Sequence, residues 1–309
     1  MRLYRWAMIA MVSGCILPVG AGAQQSAVGQ QNAKTTPQQP ATPAGDRIVV
    51  TGKPLPPKSE IKSLSRSITP YVTDGSLPRF NVSVCFASGG LPRRTLLSIG
   101  VRMAADAELA GLKLAGEGCK PNIYVLFVER AEEQVAKLAE RKWWVFGDRS
   151  LSGIRDIVHE RGPVRAWSNV EIRGADGQFI DTDGILKLPT ATRIAPSIRR
   201  ETLAAIVVIE RSAVLGKTPN QIGDYVAMRA LGGVRPPRNG SKETILALFD
   251  SRITETPAEM TAFDRGYLQG LYYTRNAEFA AVTQGRIARR ILKEKDAELA
   301  QVSKQVSAP

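Results

Sequence analysis

The spacing of apolar residues along the chain predicts a mixture of strands and helices first and a mainly helical C-terminal half. The runs NIYVLFV at 122–128 and LAAIVVIE at 203–210 are typical of buried strands. The segment FNVSVCF at 80–86 alternates and predicts a third strand, while 164–173 and 179–188 flank the turn residues GADG as a hairpin. Helical spacing predicts eight helices, at 58–69, 91–112, 131–146, 151–160, 219–231, 241–249, 261–273 and 279–304.

Together these elements predict a single α+β domain over residues 58–304, with one mixed sheet and a helix-rich C-terminal half. The chain has 309 residues, of which 43% are hydrophobic, enough for one good-sized core or at most two small ones. The last helix carries a basic side and an apolar side, so the sequence leaves two roles open for it. It either packs on the core or makes weak contact with an anionic membrane surface.

The N-terminus has the pattern of an export signal. Arg2 and Arg5 precede the apolar run 6–20, and the small residues AGA end at Ala23. This predicts a signal peptide over 1–23 and cleavage after Ala23. An alternative uses VSGC, which resembles the lipobox of bacterial lipoproteins and would place a lipid on Cys15. Either pattern predicts export, so that the protein is periplasmic or secreted.

Residues 24–57 are predicted to form a disordered linker, because 24–43 are rich in Gln, Ala, Thr and Pro and poor in apolar residues. The segment IVVTG at 48–52 resembles the TonB box of TonB-dependent outer-membrane receptors, and the resemblance implies contact with a TonB-like protein. The chain is too short for the roughly 22-stranded barrel of such receptors, so receptor function is excluded. The other interpretation is a short β-prone segment on a linker.

The charge of the chain favours anionic partners. The formal net charge is +13, and loss of residues 1–23, which carry Arg2 and Arg5 and no acid, would lower it to +11. Such a charge attracts acidic polymers, lipid head groups or nucleic acid without choosing among them. Because export would separate the protein from the cytoplasm, no nucleic acid is expected as its partner.

Two cysteines remain after removal of the signal peptide, Cys85 and Cys119. An even pair in an oxidising compartment predicts one disulfide, and two buried free thiols are the alternative. The predicted strands conflict with this disulfide. If 80–86 and 122–128 were parallel neighbours, the two cysteines would lie at opposite ends of the sheet, too far apart for a bridge.

Four segments carry a resemblance to a known family. They are CKPNIYVLF at 119–127, GDYVAMRAL at 223–231, TILALF at 244–249 and TAFDRGYLQGLY at 261–272. In this order they are similar to uncharacterised exported bacterial proteins with a degenerate zincin-like, metallopeptidase-like core, over most of residues 79–290. The resemblance implies that helix 219–231 corresponds to the zinc helix of that fold.

The zinc motif itself is lost. Gly232 matches the glycine that ends an H-E-x-x-H-x-x-G helix, which places Tyr225 and Arg229 at the two histidine positions and Val226 at the glutamate position. Zinc hydrolysis needs imidazole ligands and a carboxylate base. His159 is the one histidine of the chain, so H-E-x-x-H chemistry is excluded, and no metal and no cofactor are expected.

The candidate binding residues are therefore Tyr225, Arg229 and Asp224 on this helix. The guanidinium of Arg229 suits an anionic ligand or a buried acid partner, and Ile222, Val226 and Ala230 should form a buried face. The sequence favours an exported, non-catalytic binding or interaction protein of the cell envelope, with an anionic ligand or an envelope protein as its partner. Two alternatives stay open: a periplasmic hydrolase with an unrecognised non-zinc site, and a basic binder of envelope polyanions or membrane surfaces.

Overall fold

Among the residues that the structure describes, four strands form one mixed sheet in the order β1-β2-β4-β3. In the computed structural model, which describes residues 57–72, 75–180, 195–273 and 277–306, β1 runs parallel to β2 and β2 runs parallel to β4. The edge strand β3 is antiparallel to β4. The strands are β1 (Phe86–Gly89), β2 (Ile123–Val128), β3 (Val164–Gly174) and β4 (Ile198–Glu210).

Helices cover both faces of this sheet. None of them, within the described ranges, is long and apolar enough to cross a membrane. The α-helices are α1 (Lys58–Ile68), α2 (Arg93–Leu109), α3 (Ala131–Arg141), α4 (Leu151–Val158), α5 (Pro219–Leu231), α6 (Ala262–Tyr272) and α7 (Ala280–Val306). Short 3-10 helices occupy Trp143–Phe146, Arg211–Val214 and Ile245–Phe249. The α+β class predicted from the sequence is confirmed.

The sheet separates two hydrophobic clusters. On one face, Ile123, Val125 and Phe127 of β2 pack into the larger core together with α1, α2, α5, α6 and α7. On the other face, α3 and α4 enclose a smaller cluster in which Phe146 stacks on Trp167, with ring centroids 4.7 Å apart. Alternate residues of a strand point to opposite faces, so the central strands supply both clusters.

Local signals placed α5 and α6 correctly. α5 spans the predicted 219–231, since Thr218 forms a capping box with Gln221 and Pro219 opens the first turn. Thr261 and Asp264 cap α6 in the same way. Along α5 every residue from Ile222 to Leu231 is buried, including the predicted face of Ile222, Val226 and Ala230.

The predicted strand 80–86 is wrong. The strand begins only at Phe86, and the preceding segment makes single bridges, Arg79 with Glu201 and Val84 with Leu114. The alternating pattern arises because Phe80 and Val84 are buried from an irregular backbone. This correction removes the conflict over the cysteines, since the start of β1 lies beside the start of β2, with Phe86 opposite Ile123.

Cys85 and Cys119 consequently meet at one end of the sheet. Their Cα atoms are 6.2 Å apart and their sulfur atoms are bonded, so the predicted disulfide is confirmed. A bonded cysteine pair is compatible with a protein outside the cytoplasm.

Two helices are shorter than predicted. The helix 131–146 ends at Arg141, because Lys142 leaves helical geometry with φ −143°, and the chain continues as the 3-10 helix Trp143–Phe146. The helix 241–249 is reduced to Ile245–Phe249, because Thr244 has an extended backbone and caps the turn with its side chain.

The structure describes only part of the predicted hairpin. β3 pairs with β4, which starts five residues earlier than the predicted 203–210, while Phe179 makes one bridge to Arg173. Residues 181–188 of the predicted second hairpin strand lie outside the described residues. The same holds for the predicted signal peptide, for residues 24–56 of the predicted linker and for the IVVTG segment.

Two glycines let α6 and α7 approach closely. A Cβ atom on Gly266 would lie 2.5 Å from Cα of Ile291, and one on Gly270 would lie 2.6 Å from Cα of Ile287. Ile287 and Ile291 are buried by this contact. The apolar side of α7 thus packs on α6, and a membrane contact of this helix would have to use its basic side.

We expect Gly266→Ala to lower the free energy of unfolding by about 2 kcal/mol, because the new methyl group forces the two helix backbones apart. Denaturant unfolding measures this. Gly285→Ala on α7 is the matched control: a Cβ atom there would meet only the end of the Arg289 side chain, at an ordinary 3.7 Å, so the same change should stabilise the helix by about 0.5 to 1 kcal/mol. Equal effects of the two substitutions would contradict the close approach.

Candidate functional site

Tyr225 and Arg229 lie one turn apart on α5 and bond to each other in the interior. Arg229 Nη1 donates to Tyr225 Oη at 3.1 Å, and Nη2 donates to both carboxylate oxygens of Glu160, at 2.7 and 2.9 Å. The side chain of Arg229 is 1% exposed. Tyr225 packs edge-on against Phe249, with centroids 4.7 Å apart. The structure therefore gives Arg229 the buried acid partner that its residue type suggested.

The charge state of this cluster follows from its surroundings. Burial by itself would lower the pKa of Arg229, but Tyr225 and Glu160 outweigh burial and leave the pKa above its ordinary value. Burial raises the pKa of Tyr225, which keeps the phenol neutral. The cluster is an ion pair of Arg229 and Glu160 with a neutral phenol beside it, and an incoming cation would meet a guanidinium.

Glu160 was not identified from the sequence as a functional residue. It follows His159, which ends α4 and whose Nδ1 lies 3.1 Å from Oε1 of Glu132 at the surface. His159 is thus an exposed helix-end residue. Nothing in the sequence around Glu160 indicates its contact with Arg229, which lies 69 residues further on.

Asp224 bonds to other parts of the chain than its neighbour Tyr225 does. Its carboxylate accepts hydrogen bonds from Nε and Nη2 of Arg102 on α2, the latter at 3.1 Å, and from the backbone N–H of Met260. The side chain is fully buried. These contacts fasten α5 to α2 and to the segment before α6, so the structure does not bring Asp224 together with Arg229.

Asp106 of α2 lies next to this carboxylate. Burial, followed by the charge of Asp224, raises the pKa of Asp106 to about 8, while Arg102 opposes the shift. Its Oδ2 has no hydrogen-bond partner among the described residues. Between pH of about 4 and about 8 the folded protein therefore holds a proton that the unfolded chain releases.

Stability is expected to fall as pH rises through that window, by on the order of 2 kcal/mol between pH of about 5 and about 8, and to level off above it. Asp106→Asn keeps the shape of the protonated acid and cannot titrate, so its unfolding free energy should decline less over the same range. Denaturant titrations at several pH values test this. The exposed residue Asp156 provides the control Asp156→Asn, which should follow the wild type. A parallel decline in Asp106→Asn would show that another group is responsible.

A cavity of about 480 Å³ opens beside the end of α5. Its described walls come from the chain after α1, from β3, from α6 and from the loop that follows α5. Four arginines line it, and the described lining residues include no Asp or Glu. We call it the arginine-lined cavity, after Arg149, Arg229, Arg235 and Arg238. Tyr225 and Asp224 do not line it.

These arginines differ in how their charge is balanced. Arg229 is paired with Glu160, whereas Arg149 donates Nη2 to the carbonyl oxygen of Ser168 at 2.9 Å. The buried Nε atoms of both arginines have no partner among the described residues. Burial lowers the pKa of Arg149, and the positive charge of Arg235 lowers it further. The sequence showed Arg235 and Arg238 in the run RPPR, but Arg149 lies far from them in the chain.

A second cavity, of about 590 Å³, lies between α1 and the loop after Pro237. It shares Ser67 and Arg238 with the arginine-lined cavity, but Glu60 and Glu243 line it as well. Its charge is therefore mixed. Of the two cavities, the arginine-lined one has the electrostatic character of an anion site.

The described residues do not offer a metal centre, since no three of their His, Cys, Asp or Glu side chains come together as one. Comparisons with protein-family models, with curated proteins and with solved structures find no match to this chain. The site is therefore characterised by its own geometry: a buried Tyr225–Arg229–Glu160 cluster beside an arginine-lined cavity.

Proposed function

We propose that the protein is an exported, non-catalytic binding protein of the cell envelope whose ligand is anionic. The observation that carries this proposal is the arginine-lined cavity, where Arg149, Arg229, Arg235 and Arg238 meet without a described acid in the lining. An electropositive concave site raises the local concentration of anions and holds them with charge-assisted hydrogen bonds.

Export is supported by two independent features. The first 23 residues have a basic start, an apolar run and an A-x-A end. The bridge between Cys85 and Cys119 is the form that such a pair takes in an oxidising compartment. Both features fit a periplasmic or secreted protein.

The element order supports descent from a zincin-like core. β4 runs through the Arg211–Val214 turn into α5, and the turn Ile245–Phe249 packs on α5 through Phe249 and Tyr225. In this proposal α5 is the former zinc helix. The positions of the two histidines now hold Tyr225 and Arg229, and Glu160 neutralises the guanidinium where a cation would have been.

One set of measurements tests the proposal. The purified chain should retain no stoichiometric zinc after equilibrium dialysis at neutral pH. At constant ionic strength, at least one small anion from a panel of phosphate esters and di- and tricarboxylates should bind saturably and raise the Tm. The double substitution Arg235→Gln with Arg238→Gln should abolish that effect.

The control for this experiment removes the same charge elsewhere. Arg93 and Arg94 are exposed at the start of α2, and Arg93→Gln with Arg94→Gln should leave anion binding unchanged. Equal weakening by both double variants would instead favour a general basic binder of polyanions. One zinc ion per chain, or the failure of every anion to bind, would overturn the proposal.

A further inference from the structure

Three positive charges of the arginine-lined cavity are not balanced by a described acid. Arg229 is engaged by Glu160, and Arg149 is bonded to one carbonyl oxygen. The guanidinium groups of Arg235 and Arg238 make no hydrogen bond or ion pair within the described part of the chain. A dense set of like charges in a concave site costs free energy, which an anion between them would recover.

The backbone that carries Arg235 and Arg238 is held in place before any ligand arrives, although both side chains are exposed. The loop that carries Arg235 and Arg238 contains Pro236 and Pro237 between them, and proline fixes φ near −65°. The backbone N–H of Arg235 donates to the carbonyl oxygen of Ile68 at 3.0 Å, which ties the loop to the end of α1. Ordering already completed in the free protein reduces the entropic cost of binding.

The C-terminal end of α5 opposes anion binding in the cavity, whereas the arginines favour it. The carbonyl end of α5 faces this region, since Gly232 and Gly233 line the cavity, and a helix C-terminus disfavours anions. That partial charge amounts to about half an elementary charge, whereas the arginines contribute whole charges. The guanidinium groups therefore decide the sign of the site.

We infer that the arginine-lined cavity binds the terminal phosphate of a small phosphate monoester, an inference that rests on the proposed function and names its ligand class. A monoester phosphate carries about −1.5 to −2 charges and has three terminal oxygens. It can accept from more than one of the uncompensated arginines that line the cavity, Arg149, Arg235 and Arg238. A carboxylate has a single charge and two oxygens in one plane, which one guanidinium can satisfy.

The size of the cavity gives the ligand an organic part. About 480 Å³ falls within the roughly 300 to 1,000 Å³ typical of small-molecule sites, and exceeds what a phosphate group alone would fill. Leu77, Trp167 and Val170 offer apolar wall beside the arginines. The ester could be a free small molecule or the phosphorylated head group of a lipid, since both present the same terminal phosphate.

Calorimetric titration of the purified chain compares two small dianions at equal ionic strength, glycerol 3-phosphate and succinate. Glycerol 3-phosphate should bind at least about tenfold more tightly, because its phosphate group can accept from more guanidinium groups than a single carboxylate can. Arg149→Gln, Arg235→Gln and Arg238→Gln should each weaken its binding by about tenfold or more. The Arg93→Gln with Arg94→Gln control should bind as the wild type does.

Vesicles distinguish the two sources of the phosphate. Phosphatidate exposes a monoester, whereas phosphatidylglycerol exposes a diester with a similar surface charge. Binding to phosphatidate vesicles that exceeds binding to phosphatidylglycerol vesicles, and that is lost in Arg235→Gln, would identify a lipid head group. Binding of glycerol 3-phosphate without vesicle binding would identify a free ester. Both results support the inference.

Other results would overturn it. If succinate binds as tightly as glycerol 3-phosphate, and the cavity variants weaken both, the phosphate inference fails while the anion-binding function stands. If neither dianion binds and the wider panel of anions is also without effect, both proposals fail. Glycerol 3-phosphate binding that persists in all three cavity variants would reflect general surface charge and would likewise exclude this site.

Discussion

Arg229→Met is expected to lower the free energy of unfolding by about 3 to 5 kcal/mol, the usual loss when one partner of a buried ion pair is removed. The Glu160 side chain, 15% exposed, would be left without its guanidinium, and Tyr225 Oη would lose the donor at 3.1 Å. Because Glu160 can still reach some water, the lower part of that range is the better expectation. Chemical denaturation of the purified variant measures the loss.

A double-mutant cycle separates the pair from its parts. Glu160→Leu alone should also be destabilising, since it strands a charge on a side chain that is 1% exposed. Arg229→Met with Glu160→Leu should lose less than the sum of the two single losses, because no uncompensated charge remains. The exposed pair Lys242–Glu255 is the control, and Lys242→Met should change stability by less than about 1 kcal/mol. Additive losses in the buried pair would contradict the ion pair.

Cys85→Ser with Cys119→Ser is expected to cost about 4 kcal/mol of stability in the chain-entropy model, because the bridge closes a loop with 34 residues of separation. The loop contains the whole of α2, which packs against α5. Loss of the bridge should therefore also loosen the packing of α2 against α5, the helix that carries Tyr225 and Arg229. Unfolding curves of the oxidised wild type and of the double variant give the difference.

A reducing agent provides the control for this prediction. Reduction should destabilise the wild type by a similar amount and leave the serine variant unchanged. The untreated protein without residues 1–23, and so without Cys15, should show no thiol that reacts with an alkylating reagent while folded or unfolded. Two reactive thiols in the unfolded, unreduced protein would contradict the bridge.

The elements that could be predicted from the sequence are those whose signals are local. α5 begins and ends as predicted because Thr218, Gln221, Pro219 and Gly232 act within one turn of the helix ends. The Thr261–Asp264 capping box has the same origin. In 80–86, by contrast, the alternating pattern predicted hydrogen bonding wrongly and burial only in part, since Phe80 and Val84 are buried while Val82 is 57% exposed. Burial of Phe80 and Val84 does not require a neighbouring strand.

The same distinction between local signals and long-range contacts applies to the candidate site. The sequence indicated that Arg229 requires an anionic partner, because burying an unpaired guanidinium on an apolar helix costs free energy. It did not indicate which acid would pair with Arg229, because Glu160 lies just after α4, far from α5 along the chain. Asp224 was selected as a neighbour of Tyr225 in the chain, but its partners are Arg102 and the backbone of Met260.

By itself the sequence determined the α+β class, the choice of Cys85 and Cys119 as the candidate disulfide pair, the ends of α5 and the absence of an H-E-x-x-H site in a chain with one histidine. Each depends on composition or on residues a few positions apart. Only the tertiary structure decided that Glu160 neutralises Arg229 and that Arg149 joins Arg235 and Arg238 around one cavity. These groups come from elements that are distant along the chain. Packing around the sheet brings them together, because the burial that drives packing depends on area and is indifferent to sequence distance.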